Sequence, residues 1–81
     1  MISCEKHDYV EIACLYRLPV ELILDDGSKV SGTATDVRNN DSRQECLQLD
    51  SRGQLSLIVL DNVRQMTALK DNPHFDTVHL S

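Results

Sequence analysis

The chain has 81 residues, of which 41% are hydrophobic and only 4% aromatic. This length predicts one small domain, residues 1–81, with an aliphatic core, and it leaves no room for a second domain. Eight basic residues against thirteen acidic ones give a net charge of −5. This negative net charge argues against a domain that binds nucleic-acid phosphates by overall electrostatic attraction, and it favours a basic partner.

No membrane-spanning or secretory segment is predicted. The longest purely apolar run is Leu57–Leu60, far below the roughly 20 residues that a span needs. The first residues carry no apolar segment behind a basic start, as a signal peptide would. We therefore expect a cytoplasmic protein, in which Cys4, Cys14 and Cys46 are reduced thiols.

The first predicted element is a helix from about residue 5 to residue 16. Tyr9 and Tyr16 fall on its apolar side and are expected to pack on a sheet, whereas Asp8 and Glu11 fall on the polar side. Asp8 also stands three residues before Glu11, a spacing that resembles a capping box with Asp8 as the N-cap. A structural role for these two carboxylates is therefore the alternative to a role in binding.

The pattern then changes to period two, which predicts short strands joined by turns. Turn signals stand at Asp25–Gly27 and Asp50–Gly53, and the polar stretch Arg38–Arg43 is predicted to be a loop. In the fourth strand, Leu55, Leu57 and Val59 are expected to point inward. The predicted strands cover about residues 18–24, 29–37, 45–49, 54–60, 64–69 and 76–80.

One helix followed by five or six short strands predicts a mainly β fold. The expected architecture is a small, strongly bent antiparallel barrel, with consecutive strands paired and the N-terminal α-helix over one end. Closure of the sheet would remove exposed strand edges. The small residues around Gly32 favour the tight bend that such a barrel requires.

The segment Leu18–Gly27, continued by Val30–Asp36, resembles the first motif of Sm-like proteins, which are strongly bent barrels of the SH3-like kind. Their RNA-contacting loop carries an Asp followed shortly by Met-Asn, whereas here Asp36 is followed by Val37. Their second motif carries an Arg-Gly pair that Leu60–Gln65 lacks. The resemblance supports an Sm-like fold and speaks against an RNA-binding ring, which remains the alternative function.

A second resemblance, to the bacterial Rho-binding antiterminator family (Rof), covers nearly the whole chain. Members of that family are small acidic Sm-like barrels with an N-terminal helix, and they bind the termination factor Rho and inhibit transcription termination. The residues that carry this resemblance are Cys4, Asp8, Glu11, Ala13, Cys14, Leu18, Glu21, Leu22, Asp26, Gly27, Ala34 and Asp36.

The resemblance implies that the chain binds the N-terminal OB-fold domain of Rho through an acidic surface and blocks the loading of RNA. Residues 1–26 hold six acids and two bases, a net charge of −4. We expect a monomer without direct nucleic-acid or membrane binding. The expected partner contacts are Asp8 and Glu11, with Glu5 secondary and with Arg38, Asn39 and Asn40 as a flanking group.

Catalytic and metal-binding functions lack their usual motifs. The three glycines are explained by turns and bends, so no phosphate-binding loop is predicted, and no nucleophilic triad can be argued from spacing. Cys4 and His7 have a ligand-like gap, but Cys14 and Cys46 do not form the second close pair of a structural zinc site. We expect no enzyme activity, no cofactor and no bound metal; a small-ligand or metal sensor is the weakest alternative.

Overall fold

The computed structural model describes residues 4–80. All predicted elements form, with bounds within two residues of those expected. A short 3-10 turn, η1 (Leu60–Asn62), joins the fourth and fifth strands. The elements in chain order are the helix α1 (Cys4–Leu15) and the strands β1 (Pro19–Leu24), β2 (Lys29–Asn39), β3 (Glu45–Ser51), β4 (Gln54–Val59), β5 (Val63–Ala68) and β6 (Thr77–His79).

The six strands form one antiparallel sheet in the order β4-β3-β2-β1-β5-β6. Strands β1 to β4 pair consecutively, as predicted, but β5 returns to pair with β1. The mainly β fold is as predicted, but the barrel does not close: the sheet is open and ends in β4 on one side and β6 on the other. Strand β5 has β1 along one edge and β6 along the other, so neither edge is left to pair with β4.

Strand β2 bends the sheet. Its first half pairs with β1 and its second half pairs with β3, and the two halves meet at Thr33. A Cβ atom added to Gly32 would lie 3.1 Å from the Asp50 carbonyl oxygen and 3.2 Å from Leu49 Cβ. Glycine therefore permits the close approach of β2 to β3 at this bend, as the sequence indicated.

The core is aliphatic and lies between α1 and the concave side of the bent sheet. Val10 and Ala13 of α1 are fully buried, and α1 packs chiefly on β2. Tyr9 of α1 meets Phe75 edge to face, with ring centroids 5.9 Å apart. Among residues 4–80, no helix has both the length and the apolar character that crossing a bilayer requires.

Four predicted side-chain placements are wrong. Asp8 is not an N-cap, because α1 begins at Cys4 and places Asp8 in its second turn. Tyr16 is 55% exposed and stacks on His74 instead of entering the core. Leu55 and Leu57 of β4 are 59% and 45% exposed, because β4 is the last strand on its side of the sheet and contacts chiefly β3.

Candidate functional site

Helix α1 presents three carboxylates to solvent. Glu5, Asp8 and Glu11 are exposed and follow one another at spacings of three residues, which aligns them along one side of the helix. We call these three residues the acidic row. The opposite side of α1 is held against the sheet by Val10 and Ala13, so the core fixes the direction in which the row faces.

Glu11 lies close to His7, one helical turn before it. His7 Nδ1 lies 3.4 Å from Glu11 Oε1. The buried Nε2 atom of His7 lies 2.9 Å from Glu45 Oε1, at the start of β3, without hydrogen-bond geometry. The side chain of Glu11 is nevertheless 60% exposed. The His7 ring thus lies between Glu11 of α1 and Glu45 of β3, and Glu11 stays accessible to a partner.

Between α1 and β2 runs an open groove of about 720 Å³ that extends the acidic row. Asp8 and Glu11 border it from α1, and Asp36 borders it from β2. From the sequence alone Asp36 stands out only as part of a family motif, because no local pattern places it beside a helix residue 25 positions earlier. The complete lining is Asp8, Glu11, Ile12, Cys14, Leu15, Thr35, Asp36 and Val37.

A β-bulge at Thr35 shapes the β2 side of the groove. Ala34 pairs with Leu49 and Asp36 pairs with Gln48, so Thr35 is the extra residue between two successive pairs. Its hydroxyl lies 3.2 Å from both the backbone and the side-chain carbonyl oxygen of Gln48. Neighbouring side chains of a regular strand point to opposite faces, and the bulge changes that direction locally. Three consecutive residues of β2, numbers 35–37, thus border one groove.

The electrostatics of the groove act on Cys14, which lies half-buried in its lining. Burial, and after it the charges of Asp36 and Glu11, together raise the pKa of the Cys14 thiol to about 11, against a smaller lowering by the nearby Arg17. Carboxylates from two separate elements therefore act at the same sulfur atom. The groove is therefore bordered by carboxylates on both of its sides.

The flanking group continues along β2 beyond the groove. Arg38 and Asn39 are the last residues of β2, not loop residues as predicted, and both are exposed. They belong to the strand because Arg38 pairs with Cys46 and Asn39 pairs with Glu45 of β3. Asn40 does lie in the loop, where its Oδ1 accepts hydrogen bonds from the backbone N–H groups of residues 42 and 44. Asn40 thus has a structural role in shaping the loop.

The cysteines do not assemble a metal site in the part of the chain that the structure describes. Cys46 is buried in β3 and Cys14 lies at the groove, while the side chain of Cys4 falls outside the described atoms. Within residues 4–80, no three His, Cys, Asp or Glu side chains come together as metal ligands.

Comparison with known proteins agrees with this architecture. The chain matches, over residues 1–80, the family model described as "Modulator of Rho-dependent transcription termination (ROF)". It is 29% identical over 80 residues to Protein rof of Escherichia coli (strain K12) and to Protein rof of Shigella flexneri, which covers 99% of this chain and 89% of each relative. The solved structure "YaeO bound to Magnesium from Vibrio cholerae O395" superposes with a TM-score of 0.87 at 38% identity, covering 91% of this chain and 96% of that one.

Proposed function

Because the chain belongs to the ROF family of modulators of Rho-dependent transcription termination, we propose that it inhibits termination by binding Rho through the acidic row. That family is one of regulators and not of enzymes. The single observation that carries the proposal is the exposure of Glu5, Asp8 and Glu11 along one side of α1. The proposed target is the N-terminal OB-fold domain of Rho, where RNA is loaded.

The proposed mechanism is competition for a basic surface. A groove that binds single-stranded RNA combines basic side chains with stacking surfaces, and the carboxylates of the acidic row can occupy the positions of RNA phosphates. Complementary charge speeds the encounter of two proteins and suppresses wrong partners. Arg38 and Asn39 would make flanking contacts to polar groups, since they are exposed further along β2. One monomer of this chain would then exclude RNA from the surface it covers.

The alternative, an RNA-binding ring, fits the charges less well. Asp8, Glu11 and Asp36 border the same groove, and the whole chain carries a net charge of −5. Without a basic surface to neutralise the RNA phosphates, the carboxylates of this groove would repel them.

A charge reversal tests the proposal. The double variant Asp8→Lys with Glu11→Lys should keep its helix, since lysine has a high helix propensity, and should lose at least about tenfold in affinity for purified Rho through like-charge repulsion. Fluorescence anisotropy measures the affinity, displacement of labelled RNA from Rho measures inhibition, and circular dichroism checks the fold.

The matched control is Asp25→Lys with Asp71→Lys, which makes the same change of net charge at two exposed residues outside the acidic row and the groove. This control should bind Rho close to the wild-type affinity. Wild-type binding by the helix variant, or equal losses in both variants, would contradict a specific role for the acidic row.

A further inference from the structure

The groove between α1 and β2 combines two kinds of surface. Ile12 and Leu15 of α1 and Val37 of β2 supply apolar atoms to its lining, while Asp8, Glu11 and Asp36 supply carboxylates. Leu15 is 73% exposed, which is more than any other large hydrophobic side chain among residues 4–80. An exposed leucine beside carboxylates is suited to a ligand that has an apolar body and a cationic end.

We propose that this groove receives an arginine side chain of the bound protein, with its aliphatic stem on Leu15 and Val37 and its guanidinium among Asp8, Glu11 and Asp36. The inference rests on the proposed function for the identity of the bound protein. It extends the proposed binding surface from α1 to β2, and it specifies which kind of partner side chain binds there.

Charge complementarity and shape both favour arginine. Arginine buries its three-carbon stem along apolar surface while its charged group binds carboxylates, often in a bidentate manner. The carboxylates border a groove that is open along its length, and no metal-ligand group of three is found within residues 4–80. Carboxylates that are spread in this way suit an extended organic cation better than a compact metal ion.

The β-bulge at Thr35 also supports an arginine site, because it sets which β2 side chains border the groove. Because Thr35 is the extra residue in β2, Asp36 and Val37 both border the groove although they are neighbours in a strand. Asp36 Oδ1 accepts the Val37 backbone N–H at 2.8 Å, which orients the carboxylate. The raised pKa of Cys14 shows that the charges of Asp36 and Glu11 both act within the groove.

Two single variants test the two halves of the groove. Asp36→Asn removes one charge but keeps an oxygen that can accept the Val37 N–H, and Leu15→Gln removes apolar surface at a position that is already exposed. Each should weaken binding of purified Rho by about fivefold or more. The matched controls are Asp71→Asn, at another exposed carboxylate, and Leu55→Gln, at another exposed leucine; both should bind as the wild type does.

A titration without Rho tests the ligand chemistry directly. L-Arginine amide, added to the isotope-labelled chain, should shift the amide resonances of residues 12–15 and 35–37. L-Citrulline amide, which has nearly the same shape and the same α-amino group but no guanidinium charge, should shift them much less. Equal shifts from both compounds, or no shift from arginine amide, would overturn the proposed arginine site.

The two proposals fail in different ways. Wild-type affinity of Asp36→Asn and Leu15→Gln for Rho, together with loss of binding in the double variant of the acidic row, would overturn the arginine site and leave the proposed function intact. A wild-type chain that does not bind Rho but shows groove shifts with arginine amide would overturn the proposed function and keep the arginine preference of the groove.

Discussion

Cys14 is the residue on which the charges of the groove act most directly. The pKa of its thiol is raised from an ordinary value of 9.0 to about 11, first by burial and then by Asp36 and Glu11. The folded chain therefore holds the thiol proton over a pH range in which the unfolded chain releases it. Ionisation of the unfolded state alone favours unfolding, so stability is linked to pH through this one sulfur.

The sign of this linkage gives a prediction. The contribution of Cys14 is fully present below pH 9 and is lost as the pH rises towards about 11. Urea unfolding of the wild type and of Cys14→Ala at about pH 8 and about pH 10.5 should show the wild type losing more stability between the two pH values. The two chains share every other titratable group, so a difference between them that does not change with pH would contradict the raised pKa.

Strand β2 is the element on which the site depends most. It carries the bend at Gly32, the bulge at Thr35, the groove residue Asp36 and the exposed Arg38 within eleven residues. Its pairing with both β1 and β3 fixes where each of these features lies relative to α1. A change in the bend of β2 would therefore shift the residues of β2 that border the groove.

Gly32→Ala tests the bend. The added Cβ would lie 3.1 Å from the Asp50 carbonyl oxygen, so β2 and β3 would have to move apart. We expect a loss of about 1–3 kcal/mol in the free energy of unfolding, as for other overpacked sites. Ser31→Ala, at the preceding exposed residue, should stay within about 0.5 kcal/mol of the wild type. Denaturant unfolding of both variants makes the comparison, and equal stability of the two would contradict the close approach.

Local sequence patterns predicted the helix and the strands well, but they did not predict how these elements pair and pack against one another. Alternation located β4 and gave Leu55 and Leu57 a common face, yet the exposure of that face depends on whether another element covers it. Closure of the barrel failed as a prediction for a similar reason, since it depends on the strand with which β5 pairs and not on the sequence of β5. Helical spacing alone was enough to predict the acidic row. The groove could not be predicted in this way, because it depends on a bulge that arises from the pairing of β2 with β3.

For the whole molecule, the uneven distribution of charge is the dominant property. Residues 1–26 carry a net charge of −4 out of the total of −5, and α1 exposes three of these acids on one side. A chain of this kind approaches a basic partner in a preferred orientation. Such steering acts over about 10 Å at 0.1 M salt and is screened at higher ionic strength.

If the chain binds Rho as proposed, salt should slow the association more than it speeds dissociation. Between about 0.05 M and about 0.5 M salt, we expect the association rate constant to fall by about tenfold or more, and the dissociation rate constant to change less. Stopped-flow fluorescence of the chain mixed with Rho gives both constants. An association rate that does not depend on salt would mean that the charge of α1 does not steer the encounter.

The groove is built from two elements that are far apart in the sequence, and this limits how far the protein can be shortened. An excised peptide of the 12 residues of α1 would be only marginally helical in water, and it would carry only one wall of the groove. A stapled version would restore the helix but would still lack Asp36 and Val37. A shorter chain that reproduces this groove therefore requires a design that keeps the bulged strand beside the helix.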